Sequence, residues 1–376
     1  MESMKTVNLK LCSGQPIYYN QQTLLPYQKE IEDFLVNEDY MNTLSFAKDM
    51  MMAQEIKCNN RIAGIDNLSD LDKIIKNLNI PLELKQRIIG LYSGYQYILE
   101  NKMIDEDHLN ELYLKFNIDE KYQTDNESKS GYYRSKPVYI LKGNCVGNHY
   151  FKGIAPDQIK DYMKRLFYYI DNEDENCFLK SQIVHFYFVY IHPYYDLNGR
   201  ISRALSMWYL LNNESYPFTI FNKAVAFSKR RYEQTIITTR ENGDITVFLK
   251  NMLIQVKREL EKEYIIHSIS QKTNVPLSKQ FSQLVDYLLM MKGNITAKDF
   301  VVIYNNYNVS KPPEMIVREQ IIPLIEQGII LDIGKTKGFI SRDFSNMNLA
   351  INPYMIDIDR SKIKYLQLER FIANRK

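Results

Sequence analysis

Apolar positions recur at helical spacing from about residue 26 to residue 115, most clearly over Tyr40–Lys57 and Leu82–Asn101, and predict successive amphipathic helices. The pattern breaks at Asp125–Gly131, a polar stretch. Pro137–Leu141, a Gly143-Asn144 turn signal and a second short run ending at Phe151 then predict a β-hairpin. Helical spacing returns at Pro156-Asp157, which opens a helix running through Tyr169, and continues in an aromatic-rich helix from about Leu179 to Ile191. After the next loop, helices extend to about Glu263. The polar run Ser268–Pro276 marks a boundary. Beyond it, helices over Ser278–Met291, Thr296–Tyr304 and Pro312–Gln327 precede a strand at Ile329–Ile333, a Gly334–Gly338 turn and a strand at Phe339-Ile340. Three helices with a β-hairpin wing make a winged-helix pattern, and Asp357–Lys376 reads as a tail helix.

Composition supports a helical chain. Over 376 residues, 14 Gly and 12 Pro are sparse beside 29 Tyr, and the 45% hydrophobic and 25% charged fractions belong to a globular protein rather than a disordered or collagen-like one. The net charge of +3 excludes strong sequence-blind attraction to polyanions, so any nucleic-acid role needs a local patch. Cys12, Cys58, Cys145 and Cys177 are too scattered for a CxxC site or a disulfide scaffold, which suits a reducing cytoplasm. No run reaches the ~20 apolar residues of a membrane span.

The chemistry concentrates in His192-Pro193-Tyr194-Tyr195-Asp196-Leu197-Asn198-Gly199-Arg200-Ile201-Ser202-Arg203. Asn198-Gly199 can take positive φ and turn backbone N–H groups inward where a helix begins, outlining a phosphate site. Arg200 and Arg203 share a helix face suited to phosphate oxygens. Asp196 can supply the single carboxylate through which Mg²⁺ meets a protein while phosphates fill its other positions. His192 is a proton acceptor suited to neutral pH. A solvated loop has no need for all of these together.

This segment resembles the Fic family motif H-x-F-x-[D/E]-[G/A]-N-G-R-x-x-R, with His192, Asp196, Asn198, Gly199, Arg200 and Arg203 matching by identity and Tyr194 standing for Phe. Gly131–Arg134 with Val138-Tyr139-Ile140 resembles the family's flap, Ala155–Leu166 the helix after it, and Tyr232-Glu233 with Gly243–Leu249 its C-terminal helices. Coverage is about residues 40–260. The fold class this implies is mainly α: a Fic-type helical bundle with a β-hairpin flap, followed by a small α/β winged-helix domain. The corresponding division is 1–115 (N-terminal helices, with an inhibitory-helix-like segment at about 45–65), 116–265 (catalytic core, flap at about 134–151), 277–350 (winged helix) and 351–376 (tail helix).

The resemblance implies a protein adenylyltransferase, or AMPylator, using ATP and Mg²⁺ to place AMP on a Ser, Thr or Tyr hydroxyl of a protein, including its own. His192 would accept the hydroxyl proton and Asp196 would hold Mg²⁺. Asn198, Gly199 and Arg200 would cradle the α- and β-phosphates, with Arg203 at the γ-phosphate, and Val138, Tyr139 and Ile140 of the flap would hold the target as an added strand. Two alternatives stay open: an impaired Fic-fold regulator acting through the winged helix, and a transferase using another nucleotide donor.

Two positions depart from the family pattern. Leu197 stands where the family has Gly or Ala, so its side chain must point away from the diphosphate or reshape the pocket. Ala63, in Asn59–Gly64, occupies the position of the inhibitory glutamate that pairs with the second motif arginine in other members; its loss implies an enzyme not restrained in that way and without AMP removal. Gly334-Lys335-Thr336 is not a P-loop, because Ile329 stands where the first Gly is required. His185 reads as a packed histidine rather than a metal ligand. The winged-helix region carries nine basic and seven acidic residues over 271–356, with Glu314 and Glu319 on its recognition helix. Protein contact or homodimerisation is therefore expected ahead of DNA binding, for which Lys335 and Lys337 are the remaining argument.

Overall fold

A computed structural model describes residues 4–35, 56, 58, 82–117, 132–141, 150–213, 220–273, 284–285, 295–307, 310–333, 347–352 and 355. The segments expected to contain the inhibitory-like helix with Ala63, the flap tip, the wing turn with Phe339-Ile340 and the tail helix lie outside the described residues. Contacts divide the chain into two units, Met1–Lys257 and Arg258–Lys376.

The first unit is organised around a helix that is apolar on every side. Cys177–Ile191 (α5) buries nearly all its residues, including Phe178, Phe186, Tyr187, Phe188 and Tyr190, as a helix without a polar face must. Asn176 caps its start by accepting the Leu179 N–H at 3.2 Å. Against it pack Ile159–Asn172 (α4) and Asn198–Asn213 (α6), whose Ile201, Leu205 and Trp208 are fully buried. The expected helix from Pro156 opens as a single tight turn, Pro156–Gln158, and then becomes α4.

Residues 4–20 fall in the stretch assigned above to N-terminal helices, but they form a hairpin. Met4–Lys10 (β1) pairs antiparallel with Pro16–Asn20 (β2), Val7 facing Ile17, and Val7 and Leu9 are buried while the residues beside them are exposed or half-buried. That period of two is the strand signature. The hairpin docks on α5 through the Tyr187 hydroxyl, which donates to the Lys10 carbonyl at 3.0 Å, and on the α4–α5 turn through Tyr19, which donates to Glu175 at 2.6 Å. It also bonds the turn between Lys229–Asn242 (α8) and Thr246–Thr273 (α9), where the Tyr18 N–H reaches the Gly243 carbonyl at 3.0 Å and the Tyr18 carbonyl accepts from Ile245 at 2.9 Å. Gln21–Leu35 (α1) follows β2, and Ile220–Phe227 (α7) lies between α6 and α8.

Leu82–Glu100 (α2) matches its expected span and packs on Glu106–Phe116 (α3). Asp105 caps α3, accepting the His108 N–H at 2.9 Å. Phe116 lies so close to Gly94 that a Cβ there would sit 1.9 Å from its ring. The flap strands Tyr139–Leu141 (β3) and Tyr150–Lys152 (β4) form a separate two-stranded antiparallel sheet, Ile140 facing Phe151.

In the second unit, α9 continues through Thr273 and so takes in residues 268–273 of the polar run expected to mark a boundary; the remainder of that run lies outside the described residues. Ile295-Thr296 (β5) leads into Ala297–Tyr307 (α10). Pro313–Ile316 (α11), a π-helical stretch Val317–Ile321 and Ile322–Glu326 (α12) occupy the expected third helix. The wider π turn precedes Pro323, which has no N–H for an i−4 bond and would crowd that carbonyl in a regular helix. Ile330–Asp332 (β6) and Asn348–Ile351 (β7) complete a sheet of order β5-β7-β6 over a core that includes Ile269, Phe300, Ile321 and Leu349.

Replacing Gly94 by Ala should lower stability by about 1–3 kcal/mol through the clash with Phe116. Chemical denaturation checks this, and an unchanged midpoint would show that the two helices separate without cost.

Candidate active site at the α5–α6 junction

Six residues join the C-terminus of α5 to the N-terminus of α6, and the loop is tied at each end. Pro193 prevents α5 from continuing. His192 adopts a left-handed cap with φ 54, its N–H donating to the Phe188 carbonyl at 3.0 Å. At the other end the Leu197 carbonyl accepts the Ile201 N–H at 2.9 Å, the first bond of α6.

Asn198 closes the loop from within. Its amide oxygen accepts the Tyr194 N–H at 2.9 Å, and its amide nitrogen donates to the Tyr194 carbonyl at 2.8 Å. Tyr194 is buried in turn, stacked on Tyr113 with ring centres 4.1 Å apart and donating to Asn110 at 3.0 Å. The Phe-equivalent motif position is thus an anchor beneath the loop. Burial, with the nearby Asp196 charge adding to it, raises the Tyr113 hydroxyl to about 12.

The left-handed residues are not the expected ones. Asn198 and Gly199 lie inside α6, and positive φ falls at His192 and Leu197 (φ 69). Asn-Gly therefore starts the helix while Leu197 makes the turn before it. The Leu197 side chain is 3% exposed, packed into the protein rather than presented to an open cleft. Left-handed backbone costs a branched residue about 1–2 kcal/mol, less than the roughly 2–5 kcal/mol that a buried leucine contributes over alanine. Packing decides the residue here.

His192 is half-buried. Its Nδ1 faces the Val189 carbonyl at 3.4 Å, and because a carbonyl only accepts, that nitrogen carries the hydrogen and Nε2 keeps its lone pair. Burial lowers its pKa from 6.5 to about 4, and the Arg134 and Arg240 charges add to the drop while Asp196 and the Val189 bond oppose it. The imidazole is neutral at physiological pH. Asp196, 41% exposed at its side chain, accepts from Arg200 at 3.0 Å one helical turn away. Arg203 is 4% exposed, and a Cβ on Gly199 would lie 3.3 Å from its Nη1, which brings the guanidinium back to the first turn of α6. An α-helix N-terminus directs N–H groups and partial positive charge outward, so this end favours an anion.

Sequence reading missed the role of Arg134. It is fully buried, with Nε donating to the His192 carbonyl at 2.8 Å, Nη1 to Lys136 at 3.0 Å and Nη2 to Ile154 at 2.5 Å, while its N–H donates to the Pro193 carbonyl at 2.9 Å. It fastens both legs of the flap to the motif loop. The Tyr195 hydroxyl adds bonds from the Ser135 and Lys136 N–H groups at 3.1 and 3.0 Å. Only the GYYR spelling before the flap hinted at this. On the flap, Val138 is half-buried and Tyr139 is 66% exposed; the side chain of Ile140 lies outside the described residues.

Residues 104–210, which hold α3, the flap strands, α4, α5 and nearly all of α6, match the model of the Fic/DOC family. The chain therefore carries a Fic/DOC family domain over that span, a class whose members generally transfer a nucleoside monophosphate to proteins. Among solved structures, the chain is similar to a Fic family protein from Desulfovibrio desulfuricans G20 at 15% identity and a TM-score of 0.55, covering 88% of this chain and 96% of that one. That likeness shows a shared fold. Fic-1 (residues 134–508) from C. elegans gives 14% identity, a TM-score of 0.49 and coverage of 67% and 73%. A Fic domain containing signaling protein from Bacteroides thetaiotaomicron gives 15%, 0.46, and 64% and 95%. No curated protein matches the chain significantly. Among the described residues, no helix is long and apolar enough to cross a membrane.

Two measurements follow from this geometry. Proton NMR of the folded protein should show the His192 imidazole titrating near pH 4. Because the unfolded value is 6.5, its contribution to stability is complete above 6.5 and is lost as pH falls from there toward 4; titration at 6.5 would contradict the burial argument. Leu197→Gly should lower the denaturation midpoint despite relieving the left-handed backbone, and a higher midpoint would mean that strain outweighs packing.

Proposed function

We propose that this chain is a protein adenylyltransferase that moves AMP from ATP to a side-chain hydroxyl of a protein. The observation that carries the reading is a neutral histidine with its Nε2 lone pair available, held at the end of one helix while the next begins six residues later with two arginines on its first turns. In the reaction, the target hydroxyl oxygen forms a bond to the α-phosphorus and the bond from that phosphorus to the β-bridging oxygen breaks. Pyrophosphate leaves, and the hydroxyl proton passes to His192 Nε2. The N–H groups at the start of α6, with Arg200 and Arg203, hold the polyphosphate and balance its charge. A bound polyanion also raises the His192 pKa, so the base strengthens when substrate is present.

Asp196 fits Mg²⁺: a hard, partly exposed carboxylate beside a phosphate-favouring helix end suits an ion that takes few protein ligands and shares the nucleotide's oxygens. When bound, the ion would neutralise phosphate charge. The flap serves as the target platform, since its two-stranded sheet leaves an edge for an added strand and is bolted to His192 through Arg134. The second unit is read as a winged helix making protein contacts, including a homodimer. Its β5-β7-β6 sheet and intervening helices support the first part, and the Lys311–Glu319 ion pair at 2.7 Å, which occupies a basic residue, favours the second over DNA.

Incubation with Mg²⁺, ATP labelled at the α-phosphate and a mixture of proteins should place label on protein, including this chain. His192→Ala should reduce it by at least about 10²-fold. Equal labelling by the variant would remove His192 from the chemistry, and label from γ-labelled ATP would indicate phosphoryl transfer instead.

A further inference from the structure

The last turn of α5, which leads into His192, ends in carbonyls that the helix itself leaves without partners. Three consecutive ones are met from outside the helix ladder: the Phe188 carbonyl by the His192 N–H at 3.0 Å, the Val189 carbonyl by His192 Nδ1 at 3.4 Å, and the Tyr190 carbonyl by Arg240 Nη1 at 3.0 Å. The Nδ1 contact is the longest and lies near the outer limit of a hydrogen bond. A small shift of the turn would break it, and Arg240 fixes the carbonyl next to it.

Arg240 stands in the last turn of α8, outside the residues that match the family model. Its guanidinium carbon lies 4.6 Å from the centre of the Tyr190 ring, over the same residue whose carbonyl it bonds. The Tyr190 hydroxyl accepts the Cys12 N–H at 2.7 Å from the turn of the N-terminal hairpin. That hairpin also holds the end of α8, because the Gln15 amide donates to the Asn242 carbonyl and the Tyr18 N–H to the Gly243 carbonyl. Gly243 is left-handed, with φ 76, and a Cβ there would lie 2.8 Å from the Pro16 carbonyl, so hairpin and helix end meet closely. Tyr190 is thus held at its carbonyl, its ring and its hydroxyl. Electrostatics act in the same sense: burial is the chief cause of the neutral His192 imidazole, and the Arg134 and Arg240 charges add to it against Asp196 and the Val189 bond.

We propose that Arg240, seated by the N-terminal hairpin, is a positioning residue for His192: it sets the last turn of α5 so that Nδ1 meets the Val189 carbonyl and Nε2 is left to take the substrate proton. The inference deepens the adenylyltransferase reading and rests on it for what His192 does; how His192 is held rests on this chain's own contacts.

Nitrogen-15 NMR of the His192 imidazole at neutral pH, assigned by its loss in His192→Ala, reads the tautomer without any nucleotide. The wild-type chain should show a protonated Nδ1 and an unprotonated Nε2. In Arg240→Met the two nitrogen shifts should move towards each other as the tautomers mix, while Arg240→Lys, which keeps the charge and a donor, should stay close to wild type. Arg165→Met is the control for loss of an arginine from the same aromatic stack: that guanidinium lies 5.1 Å from the Tyr162 ring, Tyr162 stacks on Tyr187 and Tyr187 on Tyr190. Its His192 shifts should match wild type. In the labelling assay, Arg240→Met should lower kcat about tenfold while the KM for ATP changes by less than about twofold. Nitrogen shifts unchanged in Arg240→Met, the same change in Arg165→Met, or a loss confined to KM would each overturn the proposal. If Arg240→Met does not fold, Arg240→Gln, which has neither the charge nor the guanidinium plane, decides by the same criteria. Nitrogen shifts that depend on Arg240 in a chain that transfers no AMP would leave this inference standing and reject the transferase reading. AMP transfer by a wild-type chain whose His192 shows no tautomer preference would overturn this inference alone.

Discussion

The two hydrogen bonds between the Asn198 side chain and the Tyr194 backbone are the constraint on which the site depends. They fold six residues into a loop that places a helix C-terminus, carrying His192, beside a helix N-terminus, carrying Arg200 and Arg203. A neutral imidazole and a helix N-terminus with two arginines are thereby fixed on rigid elements. The loop in turn rests on Tyr194, whose ring lies on Tyr113 and whose hydroxyl reaches Asn110, so α3 supports the chemistry from below. Losing the Asn198 amide would leave two buried backbone groups unpaired, each at a cost of about 1–3 kcal/mol.

Charge around this loop is arranged so that positions are held without neutralising the site. Arg134 spends its donors on the carbonyls of His192, Lys136 and Ile154, which accept hydrogen bonds without cancelling its charge. Burial keeps His192 unprotonated, and that charge, with Arg240, adds to the effect. Asp196 takes Arg200 as partner at a partly exposed position, where solvent keeps the pair weak and exchangeable. A polyanion entering this environment meets donors already in place, which is how preorganised electrostatics lower a barrier.

Much of this was legible in the sequence, and the rest failed for identifiable reasons. The motif was readable because its residues are contiguous, α2 and the flap strands because apolar positions recur along them, and α5 because it is apolar nearly throughout. The N-terminal hairpin was passed over although Val7, Leu9 and Leu11 alternate with polar neighbours, a short signal beside the long helical segment that follows. Asn-Gly invites a left-handed turn by local preference, but the helix claims both residues and the strain moves to Leu197, where burial of the side chain compensates. Arg134 was invisible as a functional partner because its contact with His192 joins segments 58 residues apart, and no local pattern encodes that meeting.

The account's central claim is that a nucleotide polyphosphate seats on the N-terminus of α6 with its α-phosphorus beside His192. An experimental structure of the chain with Mg²⁺ and a non-hydrolysable ATP analogue tests this most directly. The account predicts phosphate oxygens on the N–H groups of the first turn of α6 and on Arg200 and Arg203, the metal on Asp196, and His192 Nε2 facing the side from which a hydroxyl would attack the α-phosphorus. A nucleotide bound away from this helix end, or one whose α-phosphorus is shielded from Nε2, would contradict it.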